Sequence, residues 1–423
     1  MTSPPAAEPL SPPPPLPHAV NVRASADTVA TAATKGVGKT GTALRRAERA
    51  WFLDDPDQRA LLDSDPLLAS RQGGTVLLDE WQRLPRMWDM VRRGVDNGAP
   101  PGRFLLTGSA TPAAGVTTHS GAGRILSLRM RPMALHERGL AEPSTSLGDL
   151  LGGDRPAVDG ECNLDLAYYL DAVTSSGFPG VLTGAGLLRE AQLDAYLQRV
   201  VDRDLPEQGL RVRRPETLRR WLAAYAAASS TTASYSRILD MTTAGDGSQP
   251  ANTTTIAYRD HLTQLWLLDP VPGWSHSRSH FTQLQQAPKH QLADPALAAR
   301  LLNLSRDALL SPRGAFMTGP LFESLVTLTV RVAAQVHRAR IGHLRTSRGD
   351  REIDLVVEGP DGQVVAIEIK LSATVGDADV RHLLWLRDQM PDDVADLVVV
   401  TTGKYAYRRP DGVAVIPLGL LGA

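Results

Sequence analysis

Between residues 75 and 140, short apolar runs alternate with amphipathic stretches. "TVLLDE" (75–80) and "GRFLLTGSA" (102–110) are compact apolar segments ending in acidic or small residues. That is how strands buried on both faces of a parallel sheet read. "TALRRAERAW" (42–51) and "PRMWDMVRRGVD" (85–96) are predicted as the intervening helices, completing the alternation of an α/β domain. From about 160 to 310 the apolar period lengthens to 3.6 residues. "LDLAYYLDAVTSSG", "LREAQLDAYLQRVVDRDL", "PETLRRWLAAYAAAS" and "SYSRILD" are predicted helices. After the loop "MTTAGDGSQPAN" (241–252), "NTTTIAYRDHLTQLWLLDPV" (252–271) places threonine caps before an amphipathic helix and then a strand. This order predicts a winged helix-turn-helix. The last part reads as a helix (319–336), strands "REIDLVV" and "QVVAIEIK" around a "GPDG" turn, a helix near 377–389 and a strand, "ADLVVVTT" (395–402).

The predicted fold class is therefore α/β: an N-terminal domain of alternating strands and helices, a helical winged-helix-like middle and a C-terminal α/β unit. The expected divisions are a proline-rich disordered leader (1–24), an α/β domain (25–145), the helical region (155–310) and the terminal domain (311–423). At 423 residues and 42% hydrophobic content, several sizeable cores are affordable. The net charge of −1 excludes a global field that draws the whole molecule to nucleic acid, so basic surface must be local. A single cysteine, Cys162, excludes an intramolecular disulfide and fits a reducing compartment. The leader has no basic flank or apolar core of a signal peptide, and no apolar run reaches membrane-spanning length. A cytoplasmic address is expected, without membrane association.

The chemistry begins at "ATKGVGKT" (33–40). Gly36, Gly38, Lys39 and Thr40 match the end of the pattern G-x-x-x-x-G-K-[ST]. There, backbone amides and a helix N-terminus converge on phosphate oxygens, lysine neutralises their charge and the hydroxyl reaches magnesium. Asp79 and Glu80 end the strand "TVLLDE", where Asp79 would support the metal and Glu80 would polarise the attacking water. Thr107 and Ser109 end "FLLTGSA", the place of a γ-phosphate sensor. Ala33 stands where the first glycine belongs, at a cost of about 1–2 kcal/mol if the backbone there needs positive φ. The stretch before it, "ADTVATAATKG", has weak strand character. Nucleotide binding with impaired turnover is the expectation.

"LLDEWQRLP", "PGRFLLTGSA", "GAGRI" and "LRMRPMALHERGL", with "YRDHLTQLWLLDPVPGW", "LADPALAARLL", "GPLFESLV" and "DREIDLVV…AIEIK", resemble a family of predicted AAA-type ATPases. These bacterial and archaeal proteins carry a C-terminal domain of unknown function with a restriction-endonuclease-like core. The likeness spans about residues 36–420. It implies an ATPase domain binding ATP and Mg²⁺, a winged-helix region and a nuclease-like terminal domain. Arg124 in "GAGRI" is the candidate charge-stabilising arginine, with a surface ion pair as the alternative. His136 and Glu137 are read as ending the ATPase domain.

In the terminal unit, Glu368 and Lys370 share one face of a strand, and the hairpin brings Asp354 beside them. Glu323 on the preceding helix is a fourth member. Such carboxylates bind Mg²⁺ while lysine orients water for phosphodiester attack. Arg211, Arg213, Arg214, Arg219 and Arg220 would contact phosphates, with Tyr258, Arg259 and His261 on a recognition helix. ATP is the expected ligand, and DNA or a protein is the candidate partner. Three readings remain: an ATPase, a metal-dependent nuclease regulated by nucleotide, and a non-catalytic binding protein with a decayed ATP site.

Overall fold

A computed structural model describes residues 28–71, 73–108, 124–210, 212–242, 250–275, 286–346 and 349–423. Strands β1 (Thr28–Ala33), β2 (Arg49–Phe52), β3 (Val76–Asp79), β4 (Phe104–Gly108) and β5 (Leu126–Met130) form one parallel sheet in the order β2-β3-β4-β1-β5. The stretch expected to be a poor strand is thus an inner strand. β1 pairs with β4 from Thr28↔Phe104 to Ala32↔Gly108 and with β5 on its other edge. An inner position gives its backbone ladders on both sides, which outweighs weak intrinsic preference.

The helix predicted at 42–51 divides. Its helical part is Lys39–Leu44, and Arg49–Phe52 instead becomes β2 at the edge of the sheet, paired with β3. Tertiary pairing overrides the local helical pattern there. The helix Arg86–Asp96 forms as expected and buries Met87, Met90 and Val91 against Leu53, Leu62 and Phe104.

The middle region is helical: Leu166–Ser175, Gly186–Arg199, Pro215–Ala227, Tyr235–Thr242 and Asn252–Gln264. Isolated antiparallel bridges, Leu268↔Leu292 and Val271↔Lys289, follow the last helix. Arg211 lies outside the described residues. Tyr258, expected on a DNA-facing surface, is buried and meets the Trp221 ring at 6.3 Å between centroids. Its ring is apolar bulk for the helical core, so it cannot serve as a surface contact.

Short β6 (Thr145–Ser146) precedes this region, and the long helix Ala315–Val336 follows it. The terminal sheet contains β7 (Arg340–Arg345), β8 (Glu352–Glu358), β9 (Val364–Ile369), β10 (Val394–Thr401), β11 (Tyr407–Arg408) and β12 (Ala414–Pro417), in the order β11-β12-β10-β9-β8-β7. The helix Asp377–Gln389 covers one face, packing Val380, Leu383 and Leu386 on Ile353, Val356 and Val399. The other face joins a core that runs from Leu355 and Val398 through the long helix into the middle helices. β13 (Leu421–Gly422) returns to pair with β6. No helix among the described residues is long and apolar enough to cross a membrane.

Candidate nucleotide site

β1 delivers the chain to Thr34, and the loop 34–38 leads directly into the helix Lys39–Leu44. Gly36 and Gly38 have φ of 87° and 90°, conformations that only glycine adopts without strain. Ala33 is still within β1, so the positive φ that would penalise alanine does not arise. The loop is therefore formed despite the missing first glycine.

Four groups converge at the ends of β3 and β4. The Thr40 hydroxyl donates to both oxygens of Asp79, at 3.0 and 3.1 Å. The Thr107 hydroxyl donates to Asp79 as well. Lys39 is buried, and its ammonium donates to the Thr34 carbonyl at 3.0 Å. Burial lowers its pKa to about 8, while the carboxylates of Glu80 and Asp79 pull it back up. Glu80 follows β3 in a left-handed conformation, φ 53°, an uncommon state for a residue other than glycine and one found at functional sites. Ser109 falls outside the described residues. Arg124 is half-exposed and paired with Asp96 at the end of the helix Arg86–Asp96. Glu137 is buried, and its carboxylate caps the Ala134 amide at 2.9 Å, a structural role.

Several residues at this site were not singled out from the sequence. Gln82 donates to Glu80, and its Oε1 is buried with no hydrogen-bond partner among the described residues. The phosphate loop is also held from outside its own domain. Lys35 pairs with the buried Asp204 and reaches Glu207 at 3.4 Å. Val37 is buried in the same core as Phe178 and Val181. A side chain added at Gly36 would meet the Phe178 ring, and one at Gly38 would meet Pro179. The turn carrying these two residues is locked by Asp294, whose Oδ2 accepts from Ser176 Oγ (2.9 Å) and the Gly177 amide (2.7 Å). Gly177 permits a close approach to Met133, since a Cβ there would stand 2.5 Å from the Met133 carbonyl oxygen. These contacts join residues far apart in sequence, so no local pattern announces them.

The terminal cluster also assembles, around an unforeseen residue. Lys289 is 2% exposed, and its ammonium lies 2.9 Å from Glu323 and 2.8 Å from Asp354. Asp354 also accepts from the Ile369 amide at 2.9 Å, while Lys370 donates to Glu368 at 3.0 Å. Burial raises the Glu323 and Glu368 carboxyls to about 8. Burial opposes the charge on Lys289, but Asp354 and Glu323 outweigh it and hold its pKa above the ordinary value. Among the described residues, no group of three or more His, Cys, Asp or Glu side chains is arranged to hold a metal ion.

Residues 34–138 match the family described as AAA domain, and 167–308 and 318–421 each match a domain of unknown function, DUF8612 and DUF4143. Two relatives, uncharacterized proteins of Mycobacterium bovis and Mycobacterium tuberculosis, are each 27% identical over 365 residues, covering 84% of this chain and 71% of their own length. Similar solved structures include a Walker-type ATPase of Pyrococcus abyssi, at 15% identity and a TM-score of 0.33 over 65% of this chain and 91% of that one. Another is the Drosophila ORC bound to DNA, at 12% identity and a TM-score of 0.22 over 66% and 91%. The sheet order, the glycine loop with its lysine and threonine, and the family match together make residues 34–138 a P-loop ATPase-like domain.

Proposed function

We propose that this chain binds ATP with Mg²⁺ and hydrolyses it, and that the middle and terminal regions carry the output. The observation that carries the reading is the convergence of Thr40 and Thr107 on Asp79 beside the Lys39 ammonium and Glu80. The donor set suits magnesium, since Thr40 and Asp79 offer hard oxygen ligands side by side. Bound magnesium would supply positive charge to the β and γ phosphates. In this reading Lys39 leaves the Thr34 carbonyl for phosphate oxygens, Glu80 takes the proton of the attacking water, and Gln82 sets the direction of the Glu80 carboxylate. Thr107 holds Asp79 in place. Arg124 would have to exchange Asp96 for the developing phosphate charge, and Ser109 is kept as a second sensor position.

We read the terminal domain as endonuclease-like in strand order and in the placement of Asp354, Glu368, Lys370 and Glu323. Binding is favoured over cutting there, because the Lys289 ammonium already occupies the Glu323 and Asp354 oxygens a metal would need. DNA or a protein remains the proposed partner. In the predicted basic stripe, however, Arg219 is committed to Asp202 and Glu216.

Hydrolysis of ATP by the wild-type chain and by Lys39→Ala decides the main claim. Turnover lost on substitution supports it, and equal rates reject it. Plasmid DNA incubated with Mg²⁺ or Mn²⁺ tests the terminal reading; cleavage that Asp354→Ala abolishes would restore the nuclease.

A further inference from the structure

A cavity of about 510 Å³ opens where the three parts of the chain meet. Arg131, just after β5, forms one side. Pro272 forms another, and the exit of the long helix into β7, from Arg331 to Ile341, closes the rest. Four lining residues are arginines (Arg131, Arg331, Arg338 and Arg340), and none is acidic. None belongs to the phosphate loop.

Two lining arginines, Arg131 and Arg331, belong to a buried charge cluster behind the cavity that does not balance. Arg129, Arg131 and Arg331 all pair with one carboxylate, Asp269, the first two at 2.8 and 2.9 Å. Three guanidinium groups against one carboxylate leave two positive charges in excess. Asp269 and Arg331 are 6% and 8% exposed, so water screens this excess weakly. The remaining partners are neutral. Arg331 donates to the carbonyls of Asp269 and Pro270, each at 2.7 Å. Arg131 donates to Gln335 Oε1 at 2.9 Å, and Arg129 lies over the Trp266 ring. Such contacts satisfy donors without supplying negative charge. Burial accordingly lowers the pKa of Arg129 to about 10 and that of Arg331 from its ordinary value.

The rim adds to the imbalance. Arg338 and Arg340 are exposed, and neither side chain has an ion pair or hydrogen bond among the described residues. Glu358 lies opposite Arg340 on β8 and is a carboxylate beside the rim; it makes no ion pair with Arg340 among the described residues and accepts from the Trp274 indole at 3.0 Å. Arg338 has φ 54°, a strained conformation for arginine at the helix exit. The helix C-terminus brings partial negative charge, yet backbone amides of residues 337–339 already cap the Ala334 and Gln335 carbonyls.

We propose that this junction cavity is a second anion site, taking a compact polyphosphate such as pyrophosphate or the phosphate tail of a nucleotide. Guanidinium forks match phosphate oxygens in pairs, and a cavity of this size suits one small ligand. The four arginines converge on one concavity rather than lining a stripe, which favours a compact anion over a nucleic-acid backbone. Because the lining comes from all three parts of the chain, a bound anion ties the ATPase-like domain to the regions that follow it.

The test is calorimetric titration of the full chain with tripolyphosphate. In Lys39→Ala, where the phosphate loop no longer contributes, one binding event is expected to remain. Adding Arg338→Ala and Arg340→Ala, both at exposed positions, is expected to weaken it at least tenfold. In the wild-type chain the same titration is expected to resolve two classes of site. Loss of all binding in Lys39→Ala while its thermal unfolding stays cooperative overturns the proposal, as does undiminished binding in the variant lacking both rim arginines. Binding of a single-stranded oligonucleotide that depends on Arg338 and Arg340, with none of tripolyphosphate, also overturns it and gives the surface to nucleic acid.

Discussion

The Thr40 hydroxyl donates to Asp79 Oδ1 at 3.0 Å, although the two residues are 39 positions apart. Only the parallel placement of β1 and β3 in one sheet, with β4 between them, creates that contact. It joins the end of the glycine loop to the acidic strand end. A nucleotide site needs both at one place.

Removing either side of this junction tests it. Lys39→Ala is expected to lower ATP turnover by about 10²-fold or more, as loss of one preorganised charge at a reacting phosphate does. Thr40→Val keeps the shape and is expected to raise the Mg²⁺ concentration required for half-maximal binding. Steady-state hydrolysis across a magnesium series checks both, and an unchanged Mg²⁺ requirement in Thr40→Val would remove Thr40 from the metal's surroundings.

The lowered pKa of Lys39 makes binding depend on pH in a defined direction. Below about 8 the side chain is an ammonium and attracts phosphate; above it, the free site is mostly neutral. Affinity for ATP is expected to fall by about tenfold between pH 7 and 9, with proton uptake on binding near pH 8.5. Calorimetry in two buffers of different ionisation enthalpy reads that uptake. In the absence of ligand the sign reverses: from about 8 to 10.5 the folded chain holds fewer protons at Lys39 than the unfolded chain. This residue's contribution to stability therefore improves as pH rises through that window.

Lys289→Met is expected to cost about 3–5 kcal/mol at neutral pH, since it leaves the ionised Asp354 carboxylate buried without its counter-charge. The loss should shrink in acid. Glu323 already has a carboxyl raised to about 8 by burial, against 4.5 for the ordinary group, so its protonated form favours the fold. That stabilisation is complete below 4.5 and is lost as pH rises through about 8. Denaturant unfolding of wild type and variant at pH 5 and pH 8 is the measurement. An equal deficit at both values would show that Lys289 acts through packing and not through charge.

Phe178→Ala is expected to destabilise the chain by about 3–5 kcal/mol, in the range for emptying a buried aromatic site. Because the ring abuts Gly36 of the phosphate loop, ATP affinity should drop as well. Leu218→Ala, equally buried among the middle helices, should cost stability without that loss. Nucleotide titration of both variants under conditions where both are folded separates the effects. Equal affinities would mean that the middle region does not brace the loop.

The residues themselves determined much of this protein. Gly38, Lys39 and Thr40, the acidic end of β3 and the threonine ending β4 were each legible, because strand ends, glycine loops and capping chemistry are local features. The helices at 86–96 and 377–389 and the strands of the terminal hairpin followed from periodicity in the same way. Tertiary structure decided the rest. It drew Thr28–Ala33 into the inner part of the sheet, turned Arg49–Phe52 from helix into edge strand and buried Tyr258. It also set Lys289 between Glu323 and Asp354, clasped Lys35 to Asp204 and gathered arginines from distant segments around one cavity. Those outcomes depend on which backbone edges and charges meet after folding. Such pairings couple residues from tens to about two hundred positions apart, and no window of sequence contains both partners.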